Sequence, residues 1–156
     1  MLGYLFLHDL LHVYIIHLIL FFQMVTQIFT TKERQFLKKH EIGRLATTSQ
    51  KGWPAVTPVS YLLVDGEKIV IATDYNTTKY RHLKQNSRAS FVVDEYPPTR
   101  AVFVQGFVGF IEGGDQFNNI YRRFFRKFDW VKEDPWVAGE APFLELTPKI
   151  KRSWGL

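Results

Sequence analysis

The stretch IVIATDYNTTKYRHLKQN, residues 69–86, holds the densest set of groups able to do chemistry. An apolar strand pattern ends at Thr73, and a polar turn follows at Asp74, Tyr75 and Asn76. A helix pattern then opens on Thr77, Thr78 and Lys79. Backbone N–H groups at a helix start lack an intrahelical partner, and the helix dipole adds positive potential there. Two hydroxyls and one ammonium at that point complete a cradle for a phosphomonoester. An ordinary capped helix with a solvated lysine has the same local sequence, so both readings stand at this level.

The elements that must hold this cradle read mostly as strands. Thr30 or Thr31 caps a short helix, with Glu33 in its first turn and Phe36 and Leu37 facing inward. Strand patterns follow at 43–49 and 53–64, and Pro54 and Pro58 mark an edge or a bulge in the second. Asp65-Gly66 is a hairpin signal, because both central residues of that two-residue turn need positive φ. The return strand covers 67–73, a helix 77–86, and further strands 88–96 and 101–112. Gly106 and Gly109 are points where the last of these can bend. Residues 115–128 form a basic amphipathic helix. Phe117, Ile120, Tyr121, Phe124, Phe125 and Phe128 share its apolar face, and Arg122, Arg123, Arg126 and Lys127 the other. A helix of that kind plugs a core far more often than it meets a membrane or nucleic acid. Residues 130–142 read as a loop, 143–148 as the last strand and 149–156 as a tail. This order predicts a mainly β (β+α) fold, an antiparallel barrel with short covering helices.

With 156 residues the chain has room for one domain with a real core. It contains no cysteine, which excludes disulfides, thiolate metal sites and thiol nucleophiles. A formal charge of +5 favours anionic partners: phosphorylated cofactors, nucleic acid or acidic membranes. Residues 2–22 are an apolar run interrupted by Asp9 and three histidines, with no basic start and no small-residue cleavage site. Three readings stand for residues 1–23: upstream sequence translated from a misplaced start, a helix packing on the barrel or a partner, or a membrane anchor. In the last, Lys32, Arg34, Lys38 and Lys39 keep the domain cytoplasmic. The domain then runs from Met24 to Leu156. His8 and His12 have the spacing of a helical metal pair, with Asp9 and His17 nearby. Without a third convincing ligand no metal site is expected.

The order helix, RLAT strand, P-V-S strand, D-G hairpin, I-A-T-D…T-K turn, N-x-R-A-S strand and R-x-V-x-V-x-G strand resembles a known family. It is that of the FMN-binding split barrels related to pyridoxamine 5′-phosphate oxidase, and the likeness covers about residues 28–148. The resemblance implies an antiparallel split β-barrel working as a cytoplasmic homodimer, with FMN at the subunit interface. It implies that Ala72, Thr73, Thr78 and Lys79 contact the ribityl phosphate. Val59, Ser60 and Tyr61 match the segment lining the isoalloxazine ring, and Arg100 a residue beside it. Trp154 either covers the flavin or packs the C-terminus onto the barrel. The oxidase's adjacent Arg-Lys pair reads Thr78-Lys79 here, so Arg81, Arg44 or Arg100 is expected to replace the lost cation. Ala101 stands where the oxidase has Gln. The oxidase also has a longer C-terminal region that holds its substrate, so oxidation of pyridoxamine phosphate is not expected.

Three functions follow as alternatives. The first is an FMN-dependent oxidoreductase passing two electrons to a small molecule, with no catalytic proton donor assigned. The second is the same fold with the deazaflavin coenzyme, whose longer phosphodiester tail would call on Lys84 and Arg88. The third is a non-catalytic nucleic-acid-binding barrel. It requires exposed aromatics interleaved with basic residues on a strand face, whereas most aromatics here alternate as core positions do.

Overall fold

Six strands close into one antiparallel barrel in the computed structural model, which describes residues 28–156. The apolar run and the histidines at 8, 12 and 17 lie outside the described residues. In chain order the elements are α1 (Thr31–Lys39), β1 (Ile42–Thr48), β2 (Pro54–Val64), β3 (Lys68–Ala72), α2 (Thr78–Gln85) and β4 (Arg88–Glu95). They continue with β5 (Arg100–Ile111), α3 (Gly114–Lys127), α4 (Asp129–Glu133) and β6 (Phe143–Trp154). The strand order is β1-β2-β3-β6-β5-β4, and β4 pairs back with β1 through Arg44–Val92 to Ala46–Ser90. The mainly β barrel expected from the sequence is the fold that forms.

Period-two alternation sorts each strand into an inner and an outer face. Leu45, Val59, Tyr61, Ile69, Ile71, Phe91, Val104, Leu144 and Leu146 fill the barrel. A second core lies outside it, where Phe117, Ile120 and Phe124 of α3 cover Leu62, Val64, Val70, Ile111 and Phe143. Burying a phenylalanine fully is worth about 1.5–3 kcal/mol, so these rings suffice to hold α3 on the barrel. Asp65 and Gly66 adopt positive φ, 53° and 73°, as the hairpin signal requires. Pro54 and Pro58 lie in the half of β2 that pairs with β1 alone, where a missing N–H leaves no ladder partner on the open side.

Four local expectations are corrected. Residues 149–154 continue β6 rather than forming a tail, paired with β5 as far as Trp154–Ala101. Their inward positions are polar because Lys151 and Ser153 meet a buried carboxylate, Glu33, which hides the usual alternation. Asp129–Glu133 is a short helix, with Val131 buried. Phe125 points away from the barrel, since it lies beyond the arc that α3 can bury. Of the two glycines in β5, only Gly106 is at the bulge, where a Cβ would collide with the Thr147 carbonyl; Gly109 faces open space.

Candidate functional site

The pairing of β2 with β3 ends at Tyr61–Ile71. Beyond it the strands part: β2 continues with β1 from Ser60 to Pro54, while β3 stays with β6 through Ala72–Phe143. A short turn joins the end of β3 at this fork to the start of α2. Thr73 leaves β3 with its N–H donating to Pro142 O at 3.3 Å. The turn at Asp74–Asn76 then delivers the chain to Thr77, the N-cap of α2.

The hydroxyl protons at this corner can be traced. Thr77 Oγ1 donates to Asp74 O at 2.9 Å and accepts from Tyr80 N–H at 3.4 Å. Thr77 has one proton and it is spent, so the 3.0 Å contact between Thr73 and Thr77 hydroxyls is donated by Thr73. Thr73 is therefore a turn-forming residue. Thr78 differs: its Oγ1 accepts from Arg81 Nη2 at 3.2 Å and keeps its own proton free to donate. Arg81 also donates to Asn76 O at 2.8 Å, so it is the cation the fold brings to this helix start. Arg44 instead pairs with Asp94, and Arg100 with Glu95. The N–H groups of Thr78 and Lys79, in the first turn, have no intrahelical acceptor.

Ala72, Thr73 and Lys79 line one cavity of about 390 Å³, together with Trp130, Trp136, Asp74, Asp134 and Glu140. Burial pulls the Lys79 ammonium below the ordinary lysine range, and the Asp74 carboxylate partly offsets this. Glu140 accepts the Val137 N–H at 2.9 Å. The indoles of Trp130 and Trp136 stack at 5.8 Å and 5°, forming an aromatic wall. Trp136 Nε1 is buried without a hydrogen-bond partner among the described residues. Sequence reading passed over this wall. Its signal was two tryptophans around Asp134-Pro135 in a long connection with little regular structure, a length that is uncommon unless it serves a purpose.

The remaining sequence-derived residues fall in three places. Val59 and Tyr61 face into the barrel, buried; the Tyr61 hydroxyl donates to Leu37 O at 2.6 Å, and burial pushes its pKa well up. Between them Ser60 is on the outer face, at the fork. Arg100 and Trp154 stand at the opposite end of the β5–β6 ribbon. There Arg100 donates to Glu95 at 3.4 Å, and His40 Nε2 meets the same carboxylate at 3.1 Å. Trp154 is half-exposed. From Phe143, beside Ala72, to Trp154 the ribbon spans eleven residue steps, an extended path of roughly 36 Å. Of the residues offered for a longer anionic tail, Lys84 is engaged with Glu112 at 3.8 Å and with the Phe110 ring, while Arg88 lines a separate cavity. Among the described residues no group of three His, Asp or Glu side chains is placed to hold a metal, and no helix is long and apolar enough to cross a membrane.

Known proteins share both sequence and fold with this chain. Over 86 residues it is 34% identical to a 5a,11a-dehydrotetracycline/5a,11a-dehydrooxytetracycline reductase of Streptomyces rimosus, covering 50% of this chain and 61% of that protein. The match thus spans less than two thirds of that relative. A conserved hypothetical protein of Mycobacterium tuberculosis superposes with a TM-score of 0.66 at 23% identity, over 81% of this chain and 85% of the other. A heme storage protein of Vibrio cholerae gives 0.68 at 13% identity, over 76% and 89%. At those identities the two structures demonstrate a common fold and nothing finer. The sequence profile of pyridoxamine 5'-phosphate oxidase matches residues 29–154, nearly all that is described. From Phe29 to Trp154, then, this chain is a member of the pyridoxamine 5'-phosphate oxidase family.

Proposed function

We propose that the protein is a homodimeric FMN-dependent oxidoreductase that holds the flavin phosphate at the start of α2. The observation that carries this is the first turn of α2, in a chain of this family, which holds N–H groups of Thr78 and Lys79 without intrahelical acceptors, a Thr78 hydroxyl proton free to donate and a lysine, Lys79. These are the donors a phosphate needs. The carboxylates of Asp74, Asp134 and Glu140 repel a dianion, so the phosphate belongs on the helix-start side of Lys79 rather than inside the acidic recess. From there the fork at Ser60 and Ala72 leads onto the outer face of β2. When bound, the flavin supplies the two-electron chemistry, and the protein supplies position and polarity. Tyr61 contributes no proton, because its hydroxyl is committed to Leu37 O.

The dimer rests on two features. Arg100 and Trp154 lie at the other end of the β5–β6 ribbon from Ala72, so in this reading they meet the flavin bound to a second copy. The outer faces of β1, β2, β5 and β6 also leave Ile42, Val56, Phe107, Ile150 and Trp154 between 46 and 65% exposed. A symmetric partner covers such a face. FMN is favoured over the deazaflavin coenzyme because Lys84 is already engaged. The absorption spectrum of the purified protein tests the cofactor: flavin bands are expected, and a Soret band or the deazaflavin spectrum would replace the assignment. Light scattering at micromolar concentration is expected to give twice the 18.3 kDa chain mass. A monomer that retains flavin would refute the interface site.

A further inference from the structure

Helix α3 has two faces, and the barrel uses one. Phe117, Ile120 and Phe124 are buried. The opposite stripe presents Arg122, Phe125 and Arg126, which with Asn119 and Tyr121 line a shallow recess of about 510 Å³. Phe125 is 40% exposed. Arg122 and Arg126 donate through Nε only to carbonyls of their own helix, Asn118 O at 3.3 Å and Arg122 O at 3.1 Å. Among the described residues neither has a carboxylate within ion-pair distance, whereas their neighbour Arg123 reaches Asp65 at 4.0 Å. Two guanidinium groups without counter-charges thus flank an exposed aromatic ring, spaced i, i+3, i+4 along one helix.

Beside the stripe, Arg123 shares a second recess with Arg34 and Lys38 of α1, where Asp65 and Glu67 make the lining mixed in charge. The chain reaches α1 from residues 2–22, which are predominantly apolar in sequence. A cationic stripe with an inserted aromatic fits the boundary between lipid headgroups and acyl chains: arginines bind phosphate and carboxylate, and the ring enters the apolar layer. Single-stranded nucleic acid calls for several aromatics in series to stack bases, and this stripe has one exposed ring. The stripe also lies on a different flank of the barrel from the face assigned to the dimer, so pairing leaves it open.

We propose that the Arg122–Phe125–Arg126 stripe of α3 docks the protein on an anionic lipid bilayer surface. Full-length protein is mixed with sedimentable phosphatidylcholine vesicles, with and without phosphatidylserine, and the bound fraction is measured at low and high salt. Preferential binding to the phosphatidylserine vesicles is expected, weakening as salt screens the charges. R122E/R126E should lower that binding at least about tenfold, given the contribution of each basic residue near an anionic surface. R122K/R126K should retain most of it. Both variants should melt as the wild type does, because the replaced groups are exposed. Equal binding by wild type and R122E/R126E overturns the proposal, as does binding to neither vesicle. Equal wild-type binding to both vesicles overturns it too, and assigns membrane affinity to residues 2–22. Loss of polyanion retention in R122E/R126E without any vesicle binding overturns it in favour of nucleic acid.

Discussion

Replacing Lys79 with alanine is expected to weaken FMN binding roughly tenfold to more than a hundredfold while leaving riboflavin binding nearly unchanged. Losing a charge-assisted contact costs on the order of 1.5–3 kcal/mol, which sets that range. Riboflavin has no phosphate, so it has no partner to lose. The comparison matters because a general loss of fold weakens both ligands equally. Little such loss is expected: a lysine in the first turn of a helix opposes the dipole, and this one carries a desolvation cost while it is charged. Flavin fluorescence quenching gives both affinities on the same protein. Unchanged FMN affinity, or equal losses for the two ligands, would move the phosphate away from α2. Thr78→Val supports the assignment if it shows the same discrimination at smaller size, since it removes a hydroxyl proton that is free to donate at the helix start.

The second large effect concerns folding. Glu33 is 3% exposed, accepts from Lys151 Nζ at 2.7 Å and Ser153 Oγ at 2.6 Å, and completes a capping box with Thr30 at the start of α1. It ties the first described helix to the end of the last strand. Lys151→Met should destabilise the protein by about 3 kcal/mol at neutral pH, because it leaves a buried carboxylate without its counter-charge. For a chain of this size that lowers Tm by roughly 6–12 °C.

The pH dependence supplies an independent check. Burial alone would raise the Glu33 pKa, but the hydrogen bonds from Lys151, Ser153 and Thr30 outweigh it and hold the pKa below the ordinary 4.5. The wild-type contribution is therefore fully present above about pH 4.5 and is lost as pH falls through the folded pKa. Without Lys151 two of the causes that lower the Glu33 pKa are gone, so its folded pKa lies higher than in the wild type. The wild type therefore loses more on acidification than Lys151→Met does, and the Tm gap between them should narrow as pH falls below about 4.5. Parallel Tm curves would mean that Lys151 does not hold the Glu33 charge.

Local chemistry made the fold legible in the sequence. The Asp65-Gly66 turn, the prolines confined to the open half of β2, and the alternation in β4 depend on neighbours close along the chain, so they could be read without tertiary information. The same holds for Thr77–Lys79, where a strand ending and a helix beginning mark the cap and first turn of α2. Long-range placement was not legible. β6 continues through Lys151 and Ser153 because a carboxylate 118 residues earlier satisfies Lys151, and no local pattern announces a polar side chain buried by a distant partner. The indole wall of Trp130 and Trp136 is part of the site only because closing the barrel sets residues 130–141 against the end of β3. Arg81 could be singled out from Arg44 and Arg100 only once each guanidinium had a partner in space. The sequence by itself thus determined most of the strands, the hairpin turn and the start of α2, because these are set by backbone geometry within a few residues. Only the tertiary structure decided which charges are neutralised, which aromatics stay exposed and which residues share a cavity, because burial and ion pairing are properties of groups that meet after folding.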